Sequence, residues 1–238
     1  MSIITRLRSI DSADLTLSRI LLSIKKRLRN IPVLLAWRLN LSKRIRVNKK
    51  RIQKFHNIHK GKRCFVIANG PSLKNIDFNL LKNEYTIGMN RIYLMEKEMG
   101  FKPTYLAVAD IAIQLAQFTA EYQNYKGPKF YGWGGRDLFP KDIADIHYFC
   151  QHPKYDFSPY FEKTISNSRS VTNTCLLLAF YMGFSEVILI GKDHSYDIKG
   201  KAGDDVVSTG GEQNHFIKGY YNKGQIWKIP VYRDEELA

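Results

Sequence analysis

The chain has 238 residues, 44% of them hydrophobic, which is enough to bury the core of one α/β domain and to leave an appended segment. Its formal net charge of +15 lies in residues 1–62, where 17 Lys and Arg accompany 2 Asp and Glu; the remainder carries 20 of each sign. The three cysteines, Cys64, Cys150 and Cys175, lack metal-ligand spacing. We therefore expect buried free thiols in an intracellular protein and no disulfide framework.

Residues 1–62 are predicted to form a basic helical N-terminal extension. A second apolar stretch from Val33 to Leu41 contains Trp37, but its longest uninterrupted apolar run has only five residues, far short of the roughly 20 of a transmembrane span. Lys and Arg also interrupt every candidate core of a signal peptide. Apolar residues at steps of three and four predict an amphipathic basic helix that ends before Pro32: Leu17, Ile20, Leu21, Ile24, Leu28 and Ile31.

Three partners suit such an extension: an anionic membrane surface, nucleic acid, or another protein. We favour the membrane because large apolar residues and a Trp share the helices with the cations, which binding to phosphate backbones does not require. Nucleic acid is therefore disfavoured, and a homo-oligomer is compatible with the sequence. Residues 1–50 are expected to hold a cytoplasmic, peripheral protein on the inner face of the membrane.

The first strand of the remaining chain delivers a tight polar loop. Residues 63–68 form a short apolar run that stops at Asn69-Gly70-Pro71-Ser72, which is typical of a buried parallel strand. Gly70 allows close approach of a ligand, Pro71 suits a first helical turn, and Asn69 and Ser72 add small polar groups. The loop can therefore hold a phosphate or a ribose, although an ordinary β-to-α turn has the same signature.

Short strand-like runs then alternate with helical stretches along residues 63–238. Strands are predicted at 85–89, 104–109 and 186–190, with weaker candidates at 129–131 and 147–149; residues 172–182 are expected to form a buried helix. This alternation predicts an α/β fold with a doubly wound, mostly parallel sheet and right-handed crossovers, in a domain spanning 63–238.

Four of the predicted strands end in polar residues. The ends are residues 69–72, Asn90, Asp110, and Asp193-His194-Ser195. In an open parallel sheet, ligands bind outside the carboxyl ends of the strands, so these groups are predicted to face one cleft. Taken singly, each is also explained as a helix cap, a turn or a local hydrogen bond.

Several familiar catalytic signatures are missing from the chain. It contains neither G-x-x-x-x-G-K-[ST] nor G-x-G-x-x-G, and it lacks H-E-x-x-H, paired-cysteine zinc spacing and G-x-S-x-G. Catalysis therefore requires a less common pattern, and no metal ligands are assigned.

Four sequence blocks carry a family resemblance: residues 65–73, 87–93, 170–184 and 188–195. Together they resemble the 6-hydroxymethylpterin diphosphokinase MptE-like family, which in bacteria includes proteins of surface-polysaccharide loci and motility accessory factors. More distantly, they are similar to the sialyltransferases of glycosyltransferase family 42. The resemblance implies a Rossmann-like fold, a variant of the glycosyltransferase-A type. This chain departs from the pattern at Ala68, where a glycine is usual, and the family continues beyond the segment matching 231–238.

The resemblance also implies roles for particular residues. It places Asn69, Gly70, Pro71, Ser72 and Asn90 on a nucleotide, with Asp110 facing the same cleft. Ser170 and Thr172 would add donors at the positive end of the helix that follows.

A long polar segment, residues 197–228, follows the last predicted strand and is expected to be an irregular lid over the substrate. In the sialyltransferase-like arrangement, His215 would be the general base, while Tyr220 and Tyr221 would support the leaving phosphate. His194, oriented by Asp193, is the competing candidate.

The sequence leaves three functions open. The favoured one is a glycosyltransferase that moves a sugar from a nucleotide-sugar, such as a CMP-sugar, to a surface-glycan or lipid-linked acceptor. The second is pyrophosphate transfer from ATP to a pterin, in which Asp110 and Asp193 would hold Mg²⁺. The third is a non-catalytic nucleotide-binding assembly subunit.

Overall fold

A computed structural model describes residues 17–229 except 142, 153–157, 159, 167–169, 194–203 and 213. The chain divides into two compact units, residues 1–46 and 47–238.

The first unit consists mainly of helix α1 (Leu17–Arg38), after which helix α2 (Lys43–Gln53) begins. The prediction that the first helix ends before Pro32 is wrong, because α1 continues through this proline. Proline has a helical φ and removes one backbone hydrogen bond, a local cost that apolar turns on both sides can outweigh. Asn40 adopts a φ of 56° beyond the end of α1, and Ser42 Oγ accepts a hydrogen bond from the Ile45 amide at the start of α2.

No helix in the described part of the chain is long and apolar enough to span a bilayer.

A six-stranded sheet forms the centre of the second unit. Its strands are β1 (Arg63–Ile67), β2 (Tyr85–Met89), β3 (Tyr105–Val108), β4 (Lys129–Gly132), β5 (Ile146–Phe149) and β8 (Glu186–Ile190). All neighbouring pairs are parallel and the strand order is β5-β4-β3-β2-β1-β8, which confirms the predicted α/β, doubly wound fold. The register is shown by Val66 of β1, which lies opposite Ile87 on β2 and Leu189 on β8.

Helices and short helical turns cover both faces of this sheet. Helix α5 (Val171–Tyr181) packs on one face, where its Cys175 and Leu178 join a buried cluster with Val66, Ile87 and Ala107. The opposite face is covered by shorter elements, as shown by the edge-to-face contact of Tyr131 with Tyr122. These elements are 3₁₀ turns at Pro71–Asn75, Phe78–Leu81, Asn90–Met95 and Trp133–Leu138, a π turn at Ile111–Leu115, α3 (Glu96–Met99) and α4 (Thr119–Asn124).

All three cysteines, Cys64, Cys150 and Cys175, are buried free thiols, as predicted.

Two small strand pairs lie outside the main sheet. Strands β6 (Gln151–His152) and β7 (Ile165–Ser166) are parallel, while β9 (Asp205–Val207) and β10 (Ile226–Lys228) are antiparallel. The prediction that residues 197–228 are irregular is therefore wrong for β9 and β10. Their short runs gain hydrogen bonds only by pairing across nearly twenty residues, which local periodicity does not reveal.

The chain reverses its direction of sheet growth at β1. Strands β2 to β5 extend the sheet to one side of β1, and β8 pairs on its other side. In open α/β sheets the crevice at such a switch point, outside the carboxyl ends of the strands, is the usual ligand site. The loops after β1 and β8 therefore define the place to look for function.

Candidate functional site

The loop after β1 (residues 69–72, the β1 loop) runs beside the continuation of β8. The amide of Gly70 donates to the Gly191 carbonyl at 2.8 Å, and the amide of Ala68 donates to the Ile190 carbonyl at 2.9 Å. A Cβ atom on Gly70 would lie 2.3 Å from Asp193 Oδ2 and 2.7 Å from the Gly191 oxygen. Since its φ is −77°, Gly70 is needed for close approach and not for a left-handed backbone.

Asp193 anchors the β1 loop from the β8 side. Its Oδ2 accepts a hydrogen bond from the Ser72 amide at 2.9 Å, and its Oδ1 accepts one from Ser72 Oγ. Pro71 begins the 3₁₀ turn there, where its missing N–H costs no hydrogen bond. The donors predicted to bind a phosphate through Ser72 are thus engaged by the protein's own carboxylate. His194 and Ser195, predicted beside Asp193, lie outside the described residues.

The last residue of β2 joins three predicted site elements. The Met89 carbonyl accepts a hydrogen bond from Asn69 Nδ2 at 3.0 Å, and Thr172 Oγ1 lies 3.6 Å from Met89 Sδ. Asn90 follows directly, and Ser170 immediately precedes α5. The fold therefore brings Asn69, Asn90 and the N-terminus of α5 together.

Two amide oxygens at this junction have no hydrogen-bond partner among the described residues. Asn69 Oδ1 and Asn90 Oδ1 are buried and accept no hydrogen bond from the described residues. Asn90 also has a φ of 48°, in the left-handed region. A buried acceptor without a donor costs about 1–3 kcal/mol, so two in one crevice indicate a site prepared for donors that a ligand supplies.

Asp110 is not hydrogen-bonded to this junction in the described part of the chain. Its exposed carboxylate caps the π turn, with Oδ1 accepting from the Ile113 amide at 2.8 Å. No hydrogen bond of the described residues joins Asp110 to Met89 or Asp193.

Residues 214–221, named here the docking segment, lie against the crevice. The Phe216 amide donates to the Asn69 carbonyl at 3.0 Å, which ties the segment to the β1 loop. Tyr220 Oη accepts from the Arg91 amide at 3.2 Å, and Tyr221 Oη accepts from Gln114 Nε2 at 2.6 Å. Both predicted lid tyrosines are therefore buried anchors whose hydroxyls already have protein partners.

His215 stacks on Tyr220, with ring centroids 3.8 Å apart and planes 4° from parallel. Burial lowers the pKa of His215 to about 4, the Arg91 guanidinium adds to the decrease, and Glu212 opposes it. The imidazole is therefore neutral at physiological pH, the form able to accept a proton.

Arg91, to which no role was predicted from the sequence, lies among these residues. Its guanidinium is 3.9 Å from the Phe118 ring centroid, and its Nε donates to Tyr93 Oη at 3.1 Å. Its Nη1 donates to the Tyr220 carbonyl. Its position directly after Asn90 could have marked Arg91 as a candidate site residue, but that position does not reveal that the side chain is buried.

A separate surface pocket of about 560 Å³ lies at the other end of the strands, near the amino end of β1. His56 and Lys60, which precede β1, line it together with Phe180 near the end of α5. It is thus remote from the strand ends that carry the unpartnered oxygens.

Within the described residues, no group of three or more His, Cys, Asp or Glu side chains is placed to hold a metal ion.

Comparisons with known proteins support the family. No curated protein matches the sequence. Among solved structures, a MAf glycosyltransferase from Magnetospirillum magneticum AMB-1 aligns with a TM-score of 0.42 and 19% identity, covering 66% of this chain and 30% of that one. This chain thus spans less than a third of that neighbour. The description of the family that matches residues 39–199 is 6-hydroxymethylpterin diphosphokinase MptE-like. At that coverage the predicted resemblance is confirmed, and the chain belongs to the MptE-like family.

Proposed function

We propose that this chain is a nucleotide-dependent transferase whose nucleotide occupies the crevice between the β1 loop and the N-terminus of α5. One observation supports the proposal most strongly: where adjacent parallel strands end, the buried oxygens of Asn69 and Asn90 accept no hydrogen bond from the described part of the chain. Ribose hydroxyls or the amino group of a base would supply those donors. At a coarse level, the family description also names a transferase.

Helix α5 supplies the complementary part of the site. It has 11 residues, and its first-turn amides carry the positive end of the helix dipole. Ser170 and Thr172 stand at this end, close to Met89. A phosphate of the nucleotide would be favoured there, while its ribose or base contacts the two asparagines.

Sugar transfer is the reaction that we favour. In this scheme the acceptor hydroxyl oxygen bonds to the anomeric carbon of a nucleotide-sugar, and the bond from that carbon to the phosphate oxygen breaks. The electron pair leaves with the nucleotide, and the acceptor proton passes to His215. The link from Phe216 to Asn69 supports this role because it places His215 one residue from a contact with the β1 loop.

Pyrophosphate transfer from ATP is the second candidate, with Mg²⁺ held by Asp110 and Asp193. The hydrogen bonds of the two carboxylates weigh against it. Asp193 uses both oxygens to hold Ser72, and Asp110 uses one oxygen as a cap. A shared metal would have to use the lone pairs that these hydrogen bonds leave free, which narrows the directions from which Asp193 could bind it.

Nucleotide binding tests the proposal directly. We would titrate the full chain with CMP, UDP, GDP and ATP, with and without Mg²⁺, by calorimetry. Metal-independent binding of CMP or UDP is expected, whereas binding of ATP alone and only with Mg²⁺ would favour pyrophosphate transfer. Absence of binding by all four would overturn both enzymatic proposals. Binding without sugar or pyrophosphate transfer would favour an assembly subunit.

A pair of matched variants tests whether the unpartnered oxygen of Asn90 contributes to nucleotide binding. Asn90→Gly retains a backbone suited to positive φ but removes the amide, and Asn57→Gly makes the same change at a φ of 58° ahead of β1. We expect N90G to weaken nucleotide binding by about tenfold or more, the effect of one lost hydrogen bond in a buried site. N57G should bind like the wild type; equal losses in both variants would contradict the assignment.

We further propose that the first unit holds the protein on an anionic membrane surface, where a lipid-linked acceptor would be available. Large apolar side chains are exposed on and after α1, including Leu28, Leu35, Leu39 and Leu41, within the segment that carries the charge excess. Replacing Leu35 and Leu39 by Gln should reduce sedimentation with phosphatidylserine vesicles. The control, Leu80→Gln, alters an exposed leucine of the second unit. Unchanged sedimentation of the double variant would contradict the proposal.

A further inference from the structure

Arg91 is a buried cation without an acidic partner in the described part of the chain. Only 5% of this residue is exposed. The ion pairs of the described residues involve other cations, such as Arg63 with Glu84 and Lys129 with Asp145. Burying a charge without a counter-ion is unfavourable, so an unpaired guanidinium at this place needs an explanation.

The neutral contacts of Arg91 leave part of its donor capacity unused. Nε donates to Tyr93 Oη and Nη1 to the Tyr220 carbonyl, whereas Nη2 donates to no residue that the structure describes. The rings of Phe118 and Tyr220 lie 3.9 and 5.6 Å from the guanidinium carbon. Cation–π contacts of this kind offset only part of the lost hydration.

The position of Arg91 connects this charge to the crevice. It directly follows Asn90, whose amide oxygen lacks a donor, and its own amide donates to Tyr220 Oη in the docking segment. It also lowers the pKa of His215 electrostatically, which places its charge close to the candidate base. The cation and the unpartnered oxygens therefore belong to one neighbourhood.

We propose that Arg91 binds a phosphate or diphosphate group of the substrate, through Nη2 and the remaining N–H of Nη1. An oxyanion would supply the counter-charge that the described residues lack, and a guanidinium suits two oxygens of one phosphate. Asn69 and Asn90, as acceptors, would instead hold donor groups of the same molecule. The proposal rests on the proposed function for the identity of that molecule, but not for the anion itself.

Inorganic pyrophosphate is the probe that isolates this step. We would measure its affinity for the wild type, Arg91→Met, Arg91→Lys and the control Arg63→Met by calorimetry. R63M loses the same charge from an exposed side chain at the start of β1. The basic residues 1–62 are present in every variant, so any binding to them is common to all and the differences report Arg91.

We expect R91M to bind pyrophosphate about 10- to 100-fold more weakly than the wild type, the loss typical of hydrogen bonds to a charged group. R63M should stay within about twofold. R91K should fall between them, because an ammonium retains the charge but not the planar fork. If R91M does not fold, R91K decides the question: an affinity equal to that of the wild type overturns the proposal.

The same experiment separates this proposal from the function that it rests on. Pyrophosphate binding that depends on Arg91, in a protein that binds none of the four nucleotides, supports the anion site and overturns the nucleotide assignment. If R91M binds CMP as tightly as the wild type does, and also binds pyrophosphate as tightly, the anion site is overturned but the nucleotide assignment is left intact. No binding of pyrophosphate by the wild type also overturns the anion site, and Arg91 is then only an anchor for Tyr220.

Discussion

Two arginines at opposite ends of neighbouring strands have opposite environments. Arg63 begins β1, is exposed, and forms a two-point ion pair with Glu84 at 2.5 and 3.2 Å. Arg91 follows β2, is buried, and has only neutral partners in the described part of the chain. Arg63 and Glu84 form an ordinary surface ion pair, whereas the charge of Arg91 is buried with no acidic partner among the described residues.

The neighbouring polar groups follow the same division. At the amino ends of the strands, His59 Nε2 and Tyr105 Oη are 2.7 Å apart and satisfy each other. At the carboxyl ends, the oxygens of Asn69 and Asn90 are buried and accept no hydrogen bond from the residues that the structure describes. Unsatisfied polar groups reduce stability and are typical of functional sites, so these two oxygens fit the binding site proposed at the carboxyl ends.

The largest effect is expected from Gly70→Ala. The new Cβ would lie within 2.7 Å of Asp193 and Gly191, so the β1 loop must move and the free energy of unfolding should fall by about 3–4 kcal/mol. Nucleotide binding should be lost as well. The control Gly211→Ala places its Cβ 3.8 Å from the nearest atom and should be almost neutral. Denaturant titration and calorimetry would measure both properties; wild-type binding by G70A would remove the β1 loop from the site.

Acidification should destabilise the protein through His215 and His147. Burial lowers the pKa of each to about 4, below the value of about 6.5 in the unfolded chain. The unfolded state therefore binds more protons in this window, and the free energy of unfolding should fall as pH drops from 6.5 to 4, by about 2–3 kcal/mol for each histidine.

The pKa of His215 also distinguishes the carboxyl ends of the strands from the amino ends, where His59 lies. Arg91 contributes to its low pKa, whereas burial alone lowers the pKa of His59. Pyrophosphate bound at Arg91 should therefore raise the pKa of His215 and leave that of His59 unchanged, as measured by NMR titration of the imidazole protons. His215→Phe should remove one part of the acid destabilisation; an unaltered pH profile would show that His215 is not buried as described.

A smaller loss is expected for Asp193→Asn. An amide offers one acceptor oxygen in place of two, so the Ser72 amide keeps a neutral acceptor and Ser72 Oγ can only accept from the new Nδ2; both hydrogen bonds to a charged carboxylate are lost. The free energy of unfolding should fall by about 1–2 kcal/mol. Asp77→Asn is the control, since Asp77 likewise accepts from an amide, that of Asn79, but at an exposed turn. Equal melting temperatures for D193N and the wild type would contradict the anchoring role.

The smallest effect is expected for Arg63→Met. Exposed ion pairs contribute little because water screens both charges. Neither the nucleotide affinity nor the melting temperature should change measurably. A marked loss of nucleotide binding in R63M would contradict the proposal that ligands bind at the carboxyl ends of the strands and not at the amino ends.

The strands and their order of appearance were largely predictable. Strands β2 and β8 match the predicted residues 85–89 and 186–190, because continuous apolar runs bounded by polar residues are typical of buried parallel strands. The helical segments were less so. Helical stretches were predicted between the strands, and the structure has a 3₁₀ turn at Asn90–Met95 and a π turn at Ile111–Leu115, since local packing alters the hydrogen-bond pattern without altering the apolar spacing.

Long-range pairing accounts for the other differences. The pairing of β9 with β10 and the anchoring of Tyr221 by Gln114 join residues far apart in the sequence. Neither contact leaves a periodic signal. The same holds for Asp193, which was predicted to orient His194 but is seen to hold Ser72.

The sequence by itself determined the α/β class, the family, the segregation of charge into residues 1–62, and the polar residues at the strand ends. The family follows from the sequence blocks that resemble it, and the other properties follow from composition and local spacing. Only the tertiary structure decided which polar groups lack partners, because burial and hydrogen bonding depend on segments that meet in space. Arg91 shows the difference: it is one of 37 Lys and Arg in the sequence, and the burial that distinguishes it exists only when Tyr93, Phe118 and Tyr220 surround it.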